Sequence, residues 1–208
     1  MSVKHEEHKV GTHGYVPPEA NKSFEKSDDV DLSDASLTTA WKDVTNDKTE
    51  ANWCAFSFES GSSSKLVTIG TGSGGFTEVK KSLSGWKSNV VFGAFRVLCT
   101  DKLNGAVGSG RPKFVSFVCV GDGVPEYVRA AVNFQKGKVR PFFGSTHLSL
   151  DFRGAELSGL THKTITLQMH DACAAHKPSH YDFYDGTELA ISDLIKNEDD
   201  EESEEDFD

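Results

Sequence analysis

The chain has 208 residues, with 22 basic and 32 acidic side chains and a formal net charge of −10. This length suits one domain with extended ends, or at most two small domains. No apolar run approaches the roughly 18 residues of a transmembrane helix, the first ten residues lack the apolar core of a secretory signal, and the four cysteines form no CxxC pair. The sequence therefore predicts a cytoplasmic protein and argues against membrane-spanning and secreted classes.

Residues 1–30 are polar and predict a disordered arm. Beyond them, apolar periodicity predicts a helix, a hairpin of two strands, a short helix, two strands, a helix, a strand and a last helix. In chain order these elements are Asp31–Val44, Trp53–Phe58 and Lys65–Ile69, Phe76–Leu83, Val90–Leu98 and Lys113–Val120, Val124–Phe134, His147–Phe152, and Leu160–Ala175. Hairpins mixed with helices favour an α+β domain around a mostly antiparallel sheet, which we place at residues 31–176.

Local signals add detail to this outline. Thr161 is a candidate N-cap for the last helix. Tyr127 falls on the apolar stripe of the helix after residue 124, and Gly137 and Pro141 should weaken any continuation of that helix. Residues 102–110 read as a flexible loop, and residues 177–208 as an acidic, largely disordered tail.

The charge is unevenly distributed along the chain. Residues 41–176 carry 16 basic and 11 acidic side chains, whereas the flanks carry 6 basic and 21 acidic ones. Within residues 111–140 six cations face only two acids, and this basic segment is either a solvated surface or a docking patch for an acidic partner. The six cations are Arg111, Lys113, Arg129, Lys136, Lys138 and Arg140.

Two motifs suggest other chemistry. Gly70–Gly75 satisfies GxGxxG and could approach a pyrophosphate, but it follows a hairpin strand, and Phe95 and Arg96 stand where an acidic ribose ligand is expected. An ordinary turn is therefore the preferred interpretation, and no cofactor is expected. A His–Cys cluster has zinc-ligand residue types but is interrupted by Pro178, so polar residues near a helix end are preferred over a metal site. That cluster comprises His170, Cys173, His176 and His180.

The residue pattern argues against two further classes of function. We find no catalytic motif such as a nucleophile elbow or HExxH, so no catalytic residue is assigned. The strands lack the clustered exposed aromatic residues of an RNA-binding sheet, and the acidic tail would repel phosphate, so nucleic acid is not an expected partner.

Nine short segments, in a fixed order, carry a resemblance to a known family: Trp41–Val44, Trp53–Phe56, Gly74–Glu78, Val91–Val97, Arg111–Gly121, Val124–Pro125, Arg129–Ala130, Phe142–Gly144, and His147–Leu150. The stretch from Trp41 to about Met169 resembles the actin-depolymerising-factor homology (cofilin-like) domain, most closely its coactosin-like branch. The resemblance implies a five-stranded mixed sheet flanked by helices on both faces. It also implies a monomeric actin-binding protein without catalytic activity.

The resemblance further implies how actin would be bound. Coactosin-like members bind along filaments. The functional residue that these members most often share is the cation just before the fourth strand, here Lys113 with Arg111 beside it. The long third helix is the actin-facing element, and Arg129, Lys136, Lys138 and Arg140 lie around it. Severing members use a serine close to the first helix, and neither Ser23 nor Ser33 matches it, which favours filament-side binding. The alternatives are an adaptor of the same fold that does not bind actin, and the nucleotide-binding protein considered above.

Overall fold

The computed structural model describes residues 30–103, 106–108, 110–173 and 177–195. Its helices are α1 (Ala35–Thr45), α2 (Gly75–Gly85), α3 (Glu126–Val139) and α4 (His162–Ala172). Its strands are β1 (Trp53–Phe58), β2 (Leu66–Gly72), β3 (Val90–Thr100), β4 (Lys102–Leu103), β5 (Ala106–Val107), β6 (Arg111–Val120), β7 (Leu148–Arg153), β8 (His180–Asp182) and β9 (Glu188–Ala190). Among these residues, no helix has the length and apolar character needed to span a bilayer.

The main sheet has the strand order β2-β1-β3-β6-β7, and only the β6–β7 pair is parallel. This confirms the predicted α+β fold and its five mixed, mostly antiparallel strands. The sheet gains two further strands, because β8 pairs with the end of β3 and β9 pairs with β8. β4 and β5 pair separately, inside the segment predicted as a loop.

The β8–β9 hairpin lies in the segment that the sequence predicted to be a tail. Tyr181 and Phe183 are fully buried in the core beneath the sheet, and they anchor this hairpin to the domain. The folded unit therefore extends beyond the predicted boundary at residue 176, at least to residue 195. The acidic run that follows, and the first 29 residues, lie outside the described residues.

Helices cover both faces of the sheet, and each face has its own apolar core. On one face α1 and α3 contribute Leu37, Val44, Val132 and Val139. On the other face α2 and α4 contribute Phe76, Val79, Ile165 and Met169. Alternate residues of β3 supply both cores, because successive side chains of a strand point to opposite faces.

A glycine at the centre of β3 allows close packing of the sheet. A Cβ at Gly93 would lie 2.3 Å from the ring of Phe117 and 2.6 Å from the carbonyl oxygen of Cys54. No larger residue fits there without moving either the β6 side chain or the β1 backbone.

The third helix corrects one prediction. It runs through Gly137 to Val139 and continues as a 3-10 turn, Arg140–Phe143. Gly137 costs only about 1 kcal/mol of helix propensity, and burial of Val139 outweighs that cost. Pro141 sits in the first turn of the 3-10 segment, where its missing N–H is not needed.

Candidate functional site

Two of the predicted cations lie at the C-terminal end of α3 and share one acidic partner. The Lys136 ammonium is 3.1 Å from Oδ2 of Asp151 on β7, and the Arg140 guanidinium is 2.7 Å from Oδ1 of the same carboxylate. Lys136 and Arg140 are one helical turn apart and are called the α3 cations below. Lys136, Arg140 and Asp151 together therefore carry one net positive charge.

Arg129 has a different role at the other end of α3. Its Nε donates to the Val124 carbonyl oxygen at 2.7 Å, and its Nη2 donates to the Asp122 carbonyl oxygen at 2.9 Å. The guanidinium therefore fastens the loop between β6 and α3 to the first turn of the helix. Lys138 is exposed on the same helix.

The other two predicted cations, Arg111 and Lys113, stand at the start of β6 and are called the β6-start cations. Arg111 is exposed, whereas the Lys113 ammonium donates to Sγ of Cys173 at 2.6 Å. Cys173 is the C-cap of α4, so the cation lies where the negative end of the helix dipole favours it. Among the described residues, no ion pair involves either cation. The Asp101 carboxylate lines the same cavity as both cations, so this part of the surface keeps a net charge of +1.

The Lys113 ammonium changes the acid–base properties of its neighbours. Lys113 lines a cavity of about 300 Å³ together with Cys99, Asp101, Arg111 and His147. Desolvation, and secondly the Lys113 charge, lower the pKa of His147. Burial raises the pKa of the Cys99 thiol to about 12, although Lys113 acts in the opposite direction. At neutral pH the cavity therefore contains a neutral imidazole and a protonated thiol beside the cations.

The structure divides the predicted basic segment between the two faces of the sheet. Lys113 pairs in register with Val97, which belongs to the core on the α2/α4 face. Asp151, which holds the α3 cations, pairs with Val118 on the α1/α3 face. The six cations thus form two separate surfaces, with Arg129 tied to backbone carbonyls.

The most exposed large apolar side chains of α3 were missed by sequence reasoning. Tyr127 is 63% exposed and Phe134 is 69% exposed. They lie seven residues apart, on the same side of the helix. The expectation that Tyr127 belongs to the buried stripe was wrong, because the buried positions of α3 are Val132, Gln135 and Val139. Phe134 falls outside the apolar stripe predicted for this helix. An apolar residue outside that stripe was the available signal for an exposed apolar side chain.

The glycine-rich loop is occupied by groups of the chain itself. The Glu78 carboxylate accepts hydrogen bonds from the Gly74 N–H at 2.8 Å and from the Trp53 indole at 2.7 Å. These two hydrogen bonds, the indole one first, lower the pKa of Glu78. A carboxylate thus stands at the N-terminus of α2, where a bound phosphate would be placed. This arrangement argues against the nucleotide-binding alternative.

The His–Cys cluster that the sequence analysis weighed and disfavoured as a zinc site is dispersed in the structure. His170 Nδ1 is 3.2 Å from the Tyr181 hydroxyl, Cys173 accepts from Lys113, and His180 Nδ1 is 2.8 Å from the Ser179 hydroxyl. His176 lies outside the described residues. Within the described part of the chain, no three His, Cys, Asp or Glu side chains are arranged to hold a metal ion.

Comparison with known proteins places this geometry in a family. The model of the family described as "Cofilin/tropomyosin-type actin-binding protein" matches residues 29–170. The chain belongs to this family. The predicted resemblance is confirmed, and the coactosin of Dictyostelium discoideum shows the branch, since it is 32% identical over 110 residues, covering 53% of this chain and 70% of that protein.

Other relatives of this cofilin-type domain agree with the assignment. Drebrin-like protein A of Xenopus laevis is 30% identical over 122 residues, but the match spans 59% of this chain and only 25% of that longer protein. The crystal structure of coactosin from Entamoeba histolytica superposes with a TM-score of 0.58 at 25% identity, covering 70% of this chain and 97% of that one. Human coactosin-like protein shares the fold, with a TM-score of 0.53 at 18% identity over 65% of this chain and 94% of its own.

Proposed function

We propose that this cofilin-type domain binds the sides of actin filaments in the cytoplasm as a monomer, without severing them. The observation that carries the proposal is the family match over residues 29–170, supported by the coactosin relative. Filament-side binding follows from the coactosin-like resemblance, and the lack of a matching serine near α1 supports binding without severing.

The β6-start cations are the first proposed contact. With Asp101 in the same cavity they keep a net charge of +1, and filamentous actin is an acidic polymer, so long-range attraction should speed association. Arg111 is exposed and can reach a carboxylate directly. Lys113 can contribute only if its ammonium turns away from Cys173, or if it acts through the local potential.

The exposed side of α3 is the second proposed contact. Phe134 offers an apolar anchor, which at protein interfaces contributes more than a rim charge does. Lys138 and the α3 cations lie on other sides of the same helix, while Arg129 supports the helix from its loop. The two contacts lie on different faces of the sheet, so together they would engage two separate surfaces of a filament.

Filament cosedimentation tests the first contact. The variant Arg111→Ala with Lys113→Ala should weaken binding about tenfold at low salt, since a few central charges can each contribute about 0–1 kcal/mol. The control is Lys81→Ala with Lys87→Ala, which removes two exposed cations elsewhere. Unchanged pelleting of the folded double variant would exclude this contact.

Two further measurements separate the alternatives. Raising the ionic strength shortens the Debye length from about 10 Å at 0.1 M, so binding driven by these cations should weaken with salt. An adaptor of the same fold would not pellet with filaments at any salt concentration. Fluorescence microscopy of single filaments tests severing, because we expect decoration with no increase in the number of filament ends.

A further inference from the structure

An open groove runs along α3, on the side away from the α3 cations. Its volume is about 590 Å³, and it lies between α3, the β1–β2 hairpin and the start of β3. Its lining is mostly apolar and includes Phe58, Val90, Val128, Ala131 and Phe134. We call it the α3 groove. Its size and lining suit a short peptide with apolar side chains.

A buried polar atom beside the groove lacks a partner. Gln135 lines the groove and is only 6% exposed. Its Nε2 lies 3.5 Å from the Ser63 carbonyl oxygen, and its buried Oε1 has no hydrogen-bond partner among the described residues. Buried amide oxygens are almost always paired. The lining therefore offers apolar contact, and a turn of the Gln135 side chain toward the groove would present this unpaired acceptor to an incoming backbone N–H.

The chain itself enters the fold at the rim of this groove. The Asp31 N–H donates to the Ser64 carbonyl oxygen at 2.8 Å, and the Leu66 N–H donates to the Asp31 carbonyl oxygen at 3.0 Å. Ser62 and Ser63, immediately before this contact, line the groove. The 29 residues that precede Val30 therefore start beside the opening.

One segment within those residues matches the lining. Residues 15–24, Tyr-Val-Pro-Pro-Glu-Ala-Asn-Lys-Ser-Phe, carry one acid and one base, so their net charge is zero. Phe24 precedes Val30 by six residues, which span up to about 20 Å when extended. Tyr15–Pro18 can form the extended helix that aromatic-lined grooves recognise. By contrast, residues 197–208 carry nine acidic side chains and would not enter an apolar groove.

We propose that residues 15–24 dock in the α3 groove of the same molecule, with apolar side chains against Val128, Ala131 and Phe134 and a backbone N–H directed at Gln135 Oε1. Because the segment is tethered, its effective concentration is high, and a weak contact is sufficient. Docking covers the exposed side of α3. If α3 contacts actin, a consequence that rests on the proposed function, the segment competes with the filament.

Paramagnetic labelling of the full-length chain tests the docking without actin. A nitroxide on Asn21→Cys should broaden the NMR signals of Val128 and Ala131, and leave Ile165 and Met169 in α4 sharp. The four native cysteines are buried and serve as a check on label specificity. Adding Tyr15→Ser, Val16→Ser and Phe24→Ser should remove the broadening, whereas Val3→Ser with Val10→Ser should not.

Each result has a defined meaning. Absence of broadening at the groove overturns the proposal. In a second experiment, an isotope-enriched chain without the nitroxide is mixed with the labelled chain. Broadening of the signals of the enriched chain also overturns the proposal, because the occupant of the groove is then a second copy. Phe134→Ser, at a highly exposed position that the fold should tolerate, must weaken the broadening, while Ile195→Ser at another exposed site must not.

Cosedimentation then tests the consequence for actin. The Tyr15→Ser, Val16→Ser and Phe24→Ser variant should bind filaments about threefold more tightly than the parent chain. Equal binding would show that the segment does not compete with the filament, and the docking would still be decided by the NMR result. If no variant pellets with filaments, the proposed function fails, and the docking is still decided by the labelling.

Discussion

The two faces of the sheet are closed by different interactions. On the α2/α4 face, a buried carboxylate joins three elements: Asp185 accepts from the Thr77 N–H at 3.0 Å and from the Thr77 hydroxyl at 2.7 Å, and it lies 2.8 Å from His162 Nε2. The Asp185 side chain is only 3% exposed. A polar network of this kind is fully satisfied and rigid, and it fixes α2 and α4 relative to each other.

The α1/α3 face is closed by aromatic packing and by ion pairs at the surface. Trp41 packs edge-on against Phe143 at 5.2 Å, and Phe56 stacks on the same ring at 5.6 Å. The α3 cations and Asp151 remain partly exposed, and Phe134 on another side of α3 is exposed as well. The difference teaches that the α2/α4 face is fixed by a buried polar network, whereas the α1/α3 face leaves a large apolar side chain of α3 exposed.

The largest expected effect comes from breaking the buried network. Asp185→Ala leaves the first turn of α2 and the His162 imidazole without their acceptor in the core. We expect the free energy of unfolding to fall by about 3 kcal/mol, as for other buried polar groups that lose a partner. Urea denaturation measures this change. The control, Asp193→Ala, removes an exposed acid and should change stability by less than about 0.5 kcal/mol.

The same carboxylate predicts an acid limit to stability. Burial alone would raise the pKa of Asp185. Its hydrogen bonds with His162, Thr77 and Thr187 together have a larger, opposite effect and lower the pKa to about 2. A lowered pKa means that the stabilisation is complete above the unfolded value near 4 and is lost as the pH falls toward 2. The difference between the parent chain and Asp185→Ala should therefore shrink over this range. A difference that stays constant to pH 2 would contradict this role.

Local patterns were sufficient for much of the fold. β1 has the predicted residues, because its apolar alternation and flanking turns are local. Thr161 caps α4 as expected, accepting from the Thr164 N–H at 3.1 Å. By contrast, β8 is three residues long and carries too short a pattern to recognise.

The site was less predictable, because it depends on contacts far apart in the chain. Asp185 and Thr77 are 108 residues apart, and no spacing rule connects them. The face occupied by Lys113 depends on its register with Val97, and a one-residue shift would move it to the opposite face. Sequence reasoning named six cations for the predicted site, but it could not show that they lie on two separate surfaces.

A smaller effect is expected from releasing the α3 cations. Asp151→Ala removes an exposed ion-pair partner and should lower the free energy of unfolding by no more than about 1 kcal/mol. If the α3 side contacts an acidic filament, two uncompensated cations should increase binding about threefold at low salt and little at high salt. Asp151→Asn, which removes only the charge, is the matched variant. Weaker binding by both would mean that the ion pairs instead position α3 for contact.

The smallest effect should appear at the β6-start cations as the pH falls. His147 Nδ1 accepts a hydrogen bond from the Phe114 N–H at 3.2 Å, and desolvation and the Lys113 charge lower its pKa. Since the folded pKa lies below the unfolded value, this hydrogen bond stabilises fully above about pH 6.5, and its contribution is lost as the pH falls through the folded pKa. The stability of the parent chain should therefore fall slightly below pH 6.5 relative to His147→Asn, which does not titrate there. Parallel stability curves for the two proteins between pH 5 and pH 8 would show that folding does not lower the pKa of His147.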